Sequence, residues 1–133
     1  GNRFQEVLDD PDVGPRSGGK IDRALFCSGK VYYDLLEAKE ERKKKDVAII
    51  RVEQLYPLPQ KQLDELMKKY KSAEKVWVQE EPANMGAWQF LQVNYPEGEW
   101  TGVCRKASAS PATGYKKMHD QQQADLIDRA LGD

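Results

Sequence analysis

Apolar positions along this chain fall into two alternating patterns. Short continuous runs, ALFC at 24–27, VAII at 47–50 and VWV at 76–78, are separated by stretches in which apolar residues recur every three or four positions. The continuous runs predict strands buried on both faces. The spaced stretches predict helices with one apolar stripe. A strand is expected over 21–29, closed by the Ser28-Gly29 turn, then a helix over 30–44 with Val31, Tyr32, Leu35 and Leu36 on one face. A second strand is expected over 46–55. The next helix, 56–70, places Leu63, Leu66, Met67 and Tyr70 on one stripe, with Pro59 at its opening. A third strand follows over 74–81, and a helix over 85–95 weakened by Gly86, Val93 and Tyr95. A fourth strand at 102–110 ends before Pro111. The last helix, 119–132, has an Asp120-x-x-Gln123 capping box and an apolar face of Ala124, Ile127, Ala130 and Leu131, and ends at Gly132.

Residues 1–20 lose periodicity after Leu8 and carry Pro11, Gly14, Pro15, Gly18 and Gly19, so they read as a lead-in or linker to a domain over 21–133. Phe4, Val7 and Leu8 suit the end of an element from a preceding domain, and the opening as a whole suggests a fragment of something larger. Alternating strands and helices imply an α/β fold with a parallel sheet covered on both faces. Such sheets bind ligands beyond the carboxyl ends of their strands. Ser28-Gly29, residues 54–57 and Glu80-Glu81 all fall at that edge.

Composition changes this picture little. The chain has 133 residues, with 21 Lys+Arg against 22 Asp+Glu and a net charge of −1. That balance argues against a nucleic-acid partner. The basic run ERKKKD at 41–46 suits a solvated helix end, where cations favour the macrodipole. No stretch approaches the ~20 apolar residues of a membrane span, and none near the start reads as a secretory core. Cys27, Cys104 and the single histidine, His119, are too few for a zinc site. Cys27 reads as a small buried hydrophobe. The two-cysteine pattern suits a reducing compartment, and a Cys27–Cys104 disulfide is left open.

Three candidate chemistries arise. Ser28-Gly29-Lys30 resembles the tail of a phosphate loop, but Ala24 and Val31 stand where Gly and Ser/Thr are required. A bare anion site at a helix N-terminus or a Ser28 N-cap remains. Ser108, Ser110 and Thr113 form a hydroxyl cluster, yet His119 is the only base on offer and no nucleophile elbow is present, so a close-packed turn is favoured. Glu80 and Glu81 would point to opposite strand faces, which argues against a shared-proton dyad. They read as strand-end residues, one of them capping the helix that begins near Asn84, with an independent enzyme using Glu80 or Glu81 as the rival.

Four strings in order, CSGKVYYDLLE, DVAIIRVEQLYPLP, VWVQEEPANMGAW and ASASPATGYKKMHDQQQADLIDRAL, closely resemble the C-terminal domain of the thiamine diphosphate-dependent component of the 2-oxoglutarate dehydrogenase complex. The resemblance covers 21–131, and FQEVLDD is similar to the segment that enters this domain. It implies a transketolase C-terminal-like three-layer α/β/α sandwich with a mostly parallel five-stranded sheet. The fifth strand, short or antiparallel, is then expected in the lead-in or at 97–102. The resemblance also implies a parent oxidoreductase of the tricarboxylic acid cycle, located in the bacterial cytoplasm or the mitochondrial matrix. That parent would decarboxylate 2-oxoglutarate and pass succinyl to the lipoyl groups of a succinyltransferase core.

The resemblance further implies an obligate homodimer whose preceding domains hold thiamine diphosphate and magnesium. The family's G-D-G motif for them is missing here. This domain is therefore expected to have no catalytic, cofactor or metal residues of its own. Its expected role is to pack against the preceding domains and the partner subunit, with Trp77, Trp88, Phe90, Leu91 and Tyr95 supplying core and interface area and an exposed apolar patch. The family reads G-R-P where this chain has Cys104-Arg105-Lys106. In related enzymes this domain takes part in binding an acetyl-coenzyme A effector. Arg105 and Lys106, with Ser28, Gly29 and Lys30, are thus candidates for an anion or effector site. Two alternatives stand beside this reading: the same domain of a 2-oxoadipate-specific relative, and a regulatory module for acetyl-coenzyme A or adenine nucleotides.

Overall fold

The computed structural model describes residues 6–106 and 115–133. The hydroxyl cluster of Ser108, Ser110 and Thr113 lies outside the described residues. The elements are β1 (Val7–Leu8), β2 (Arg23–Cys27), α1 (Val31–Arg42), β3 (Val47–Val52), α2 (Gln60–Lys69), β4 (Glu74–Gln79), α3 (Trp88–Asn94), β5 (Thr101–Cys104) and α4 (Tyr115–Leu131). They build one five-stranded sheet of order β1-β3-β2-β4-β5. β2, β3, β4 and β5 run parallel, with Phe26 opposite both Ile50 and Trp77 at the centre. β1 is antiparallel to β3, with Val7 opposite Val52 and Leu8 opposite Arg51. The fifth strand thus comes from the lead-in, one of its two expected places.

Alternation along the strands makes two cores. Ala24, Phe26, Ala48, Ile50 and Trp77 face α2 and α3, where Leu63, Leu66, Tyr70, Leu91 and Tyr95 close the layer. Leu25, Cys27, Val47, Ile49, Val76, Val78 and Val103 face α1 and α4, which contribute Val31, Leu35, Leu126, Ile127 and Leu131. Both strand faces are apolar because both are covered, so the central strands read as continuous apolar runs. Trp77, Leu91 and Tyr95 are fully used by the core, while Trp88 and Phe90 are only partly buried.

The lead-in is tied down by two adjacent aspartates. Asp10 is buried; its carboxylate accepts the Ile49 amide at 2.9 Å and the Lys39 ammonium at 3.0 Å. It therefore continues the edge pairing of β3 where β1 ends. Asp9 accepts from Lys69 at 2.5 Å and from the Tyr70 hydroxyl at 2.6 Å. Burial, with that bond, raises the phenol of Tyr70 above its ordinary value. One aspartate thus grips the α1 layer and its neighbour grips the α2 layer.

The amino edge of the sheet is closed by charge. Arg23, at the start of β2, donates to Glu74 at 2.6 Å and to the carbonyls of Ala130 and Arg129 at 3.1 Å each. Thr101 donates to the other Glu74 oxygen at 2.9 Å. Asp133 pairs with Arg42 and Lys44, which hold its carboxyl below the usual carboxylate range.

Several boundaries depart from the sequence pattern. β4 stops at Gln79, so Glu80 and Glu81 follow the strand and do not diverge across it. α3 starts at Trp88 rather than Met85, because Gly86 turns the chain with φ +70°. β5 ends at Cys104, leaving Arg105 and Lys106 outside it. α4 already begins at Tyr115, so Asp120 lies inside the helix and caps nothing. Gln123 instead donates to Asp34 on α1 at 2.8 Å. Cys27 and Cys104 are both free, on strands separated by β4. Burial pushes the Cys27 thiol up to about 12.

Candidate functional site

The strand order fixes where a cleft opens. β2 feeds α1 on one face of the sheet, and its neighbour β4 feeds α3 on the other. The two connections leave in opposite directions, and a crevice forms between the carboxyl ends of the strands. Here it is a cleft of about 500 Å³. Ser28, Gly29 and Lys30 line it from the β2 side, Leu55 from the β3 exit, Gln79, Glu80 and Glu81 from β4, and Arg105 and His119 from beyond β5. All three segments expected at this edge contribute to it.

The β4 wall is organised by Gln79, which the sequence pattern did not single out. This buried side chain accepts from the Trp77 indole at 2.9 Å and from the Trp88 amide at 3.0 Å. Its amide nitrogen faces the carbonyls of Glu81 at 3.2 Å, Pro82 at 2.9 Å and Met85 at 2.7 Å. Gln79 thus caps the start of α3, the role expected of Glu80 or Glu81. A neutral amide suits this better than a carboxylate, because the same buried group must both accept and donate. The turn packs tightly: a Cβ on Gly86 would come within 3.0 Å of the Gln79 carbonyl oxygen. The only local sign of this residue was a polar position directly continuing an apolar strand.

Arg105 ties the far wall together. Its guanidinium donates to Nδ1 of His119 at 3.0 Å and to the Gln123 side-chain carbonyl, and lies 3.7 Å from a Glu80 oxygen. Its backbone amide donates to the Glu81 carbonyl at 3.2 Å. Its Nε is buried without a hydrogen-bond partner among the described residues. Arg105 therefore links β4, β5 and α4 around the cleft, a constellation that residues fourteen positions apart or more did not announce.

The remaining candidates stand apart from this network. Ser28 is exposed at the mouth and is not the cap of α1, whose N-cap position is Lys30 with no side-chain cap bond. Gly29 takes φ +77°, which lets the chain turn from β2 into the helix. Lys106 and Asn84 are exposed and lie outside the cleft lining.

Chemically the cleft is self-compensated. Lys30 and Arg105 face Glu80 and Glu81, and the one histidine accepts from an arginine, so its Nδ1 is not open to a substrate proton. The donor set does not suit a magnesium-bound diphosphate. Among the described residues no group of three His, Cys, Asp or Glu could hold a metal.

The fold and cleft define a doubly wound α/β domain of the transketolase C-terminal type. A solved neighbour, a split-gene transketolase described as an inactive beta4 tetramer, superposes with a TM-score of 0.55 at 17% identity, covering 86% of this chain and 40% of that one. The sequence narrows the class. Residues 1–131 match the 2-oxoglutarate dehydrogenase C-terminal family, and the chain belongs to it.

Relatives include the 2-oxoglutarate dehydrogenase E1 components of Cupriavidus necator, 47% identical over 96% of this chain, and of Haemophilus influenzae, 44% identical over 96%. The multifunctional 2-oxoglutarate metabolism enzyme of Mycobacterium sp. (strain JLS) is 41% identical over 97%. The chain spans only 14%, 14% and 11% of the lengths of these three proteins. It is the C-terminal domain of a parent enzyme of this family.

Proposed function

We propose that this domain is a non-catalytic assembly element of a 2-oxoglutarate dehydrogenase. The parent decarboxylates 2-oxoglutarate on thiamine diphosphate and magnesium held by its preceding domains, then passes succinyl to the lipoyl groups of a succinyltransferase core. This domain packs against those preceding domains and the homodimer partner and shapes the approach to the active site. The observation that carries the reading is the state of Arg105 and His119: the groups best suited to chemistry in the cleft bind each other and join α4 to β4. Bound in this way, they act as structural ties, and among the described residues no nucleophile with an oriented base accompanies them.

Two assays test this. The 133-residue chain should release no carbon dioxide from 2-oxoglutarate and give no heat with thiamine diphosphate and magnesium. A parent lacking residues 21–133 should lose both its dimer and its activity. Carbon dioxide release by the chain alone, or an active parent without it, overturns the reading. Assaying the intact parent with 2-oxoglutarate and 2-oxoadipate decides between the two substrates.

A second reading is favoured by the cleft lining, which gathers Ser28, Gly29 and Lys30 with Arg105. An effector carrying phosphate, such as acetyl-coenzyme A or an adenine nucleotide, would enter there by displacing Glu80 from Arg105. Calorimetry of the parent with these ligands tests it, and absence of heat at millimolar ligand ends it. Glu80→Gln, which removes the internal competitor, should tighten such binding.

A further inference from the structure

The exposed apolar side chains of this domain are not scattered. Among the described residues five large ones are exposed: Tyr33, Tyr56, Met85, Val93 and Tyr115. Four of these sit at the carboxyl edge, two in the first turn of a helix and two between a strand and the next helix. Tyr33 is in the first turn of α1, Tyr56 lies between β3 and α2, Met85 lies between β4 and α3, and Tyr115 opens α4. Tyr56 also packs against the half-buried Phe90 in a tilted arrangement, with ring centroids 4.3 Å apart. The amino edge carries Asp22, Lys45, Asp46, Lys71 and Glu74 outward, while the carboxyl edge adds the apolar side chains to its own exposed charges, Lys30, Glu53 and Glu81.

The lead-in supplies a second, independent observation. Because β1 is antiparallel to β3, β1 is entered from the carboxyl edge. The Glu6 carbonyl accepts the amides of Glu53 at 2.7 Å and Gln54 at 3.3 Å, at the exit of β3. Leu55 of the cleft wall and Tyr56 of the rim follow directly. The chain therefore enters the described domain, at residue 6, on the face that carries the aromatic rim. Further along, toward the amino half of the sheet, Asp9 and Asp10 hold the lead-in through Lys69 and Tyr70 on one layer and Lys39 and Ile49 on the other.

The geometry points to the carboxyl edge as the docking face for the preceding part of the same polypeptide, with the pairing of β1 and Glu6 along the exit of β3 fixing where the chain enters. This deepens the assembly reading and rests on it. Relatives hold roughly six-sevenths of their length outside the matched region, since the chain covers 14% of the Cupriavidus protein. A preceding domain leaving at this edge meets the rim at once. Its burial of Tyr56, Phe90 and Met85 removes apolar surface from water, and aromatic residues and Met are the types enriched where such contacts form.

The test uses the intact parent. Amine labelling and hydroxyl-radical footprinting compare the two edges within one molecule. Lys30 at the carboxyl edge should label at least tenfold more slowly than Lys45 and Lys71 at the amino edge, and Tyr56 and Met85 should resist oxidation. Cross-linking of a mixed light and heavy isotope parent then assigns the occupant. Lys30 should cross-link to lysines upstream of residue 6 within its own isotope form. Equal labelling of both edges overturns the inference. So do cross-links from Lys30 only to the other isotope form, which would make the occupant a second copy. If the rim labels freely while another face of this domain is protected, the assembly reading survives and the docking face is wrong. If no face is protected, both fail.

Discussion

The two edges of this sheet solve different problems with different materials. At the amino edge, strand starts are held by exposed charge: Arg23 bridges Glu74 and the end of α4, and Asp133 binds Arg42 and Lys44. At the carboxyl edge, the connections are organised by buried or half-buried polar groups, Gln79 and Arg105, beneath an outer rim of Tyr and Met. Exposed ion pairs are worth little each and tolerate loss. A buried polar group with several partners strands all of them when it is removed. The difference teaches where this domain is specified tightly: on the side that holds the cleft and the chain entry.

Substitutions sharpen the comparison, from the largest effect down. Gln79→Leu should cost about 4 kcal/mol, because it leaves the Trp77 indole, the Trp88 amide and several carbonyls without their partner. Urea unfolding measures it, and a loss below ~1 kcal/mol would remove Gln79 from its organising role. Asp10→Ala should cost about 3 kcal/mol, since Lys39 and the Ile49 amide stay buried without it. Amide exchange at Ile49 should speed up in step.

Gly102→Val should cost about 2 kcal/mol by overpacking, because a Cβ there would lie 2.5 Å from the Trp88 ring. Reduced Trp88 order in fluorescence would accompany it. Glu74→Gln at the amino edge should cost only about 0.5 kcal/mol, although it weakens the Arg23 pair. If Glu74→Gln proved as damaging as Gln79→Leu, the contrast between the edges would collapse.

Acid should act on the amino edge in the same modest way. Asp133 is held below its ordinary value by Lys44 and Arg42. Its contribution is therefore present above the unfolded carboxylate value of about 3.9 and fades as pH falls through the lower folded value. Fraying of the α4 end in amide exchange below about pH 4 checks this.

Much of this architecture was legible in the pattern, for physical reasons. Continuous apolar runs mark doubly covered strands, and alternation with helices places the ligand edge. Ser28-Gly29, residues 54–57 and Glu80-Glu81 were thereby placed at the edge where the cleft opens. What escaped was decided by long-range contact. A two-residue strand such as Val7–Leu8 has no periodicity to detect and exists because β3 offers an edge. Asp120-x-x-Gln123 matches a capping box, but the same spacing occurs inside helices, and here the helix had already begun at Tyr115. Gln79 looked like the polar end of a strand, and the pattern passed its capping role to the neighbouring glutamates. The Arg105–His119 contact crosses a connection whose path the sequence does not encode locally.

The most direct measurement places charge on each edge of the intact parent. Tyr56→Asp combined with Met85→Asp disturbs the rim while leaving the domain's own core untouched, and Lys71→Asp disturbs the amino edge as a control. 2-Oxoglutarate decarboxylation and sedimentation are then read side by side. The rim variant should lose more than tenfold of activity together with its assembly, while the control keeps both. Equal activity and equal assembly in the two variants would contradict the account.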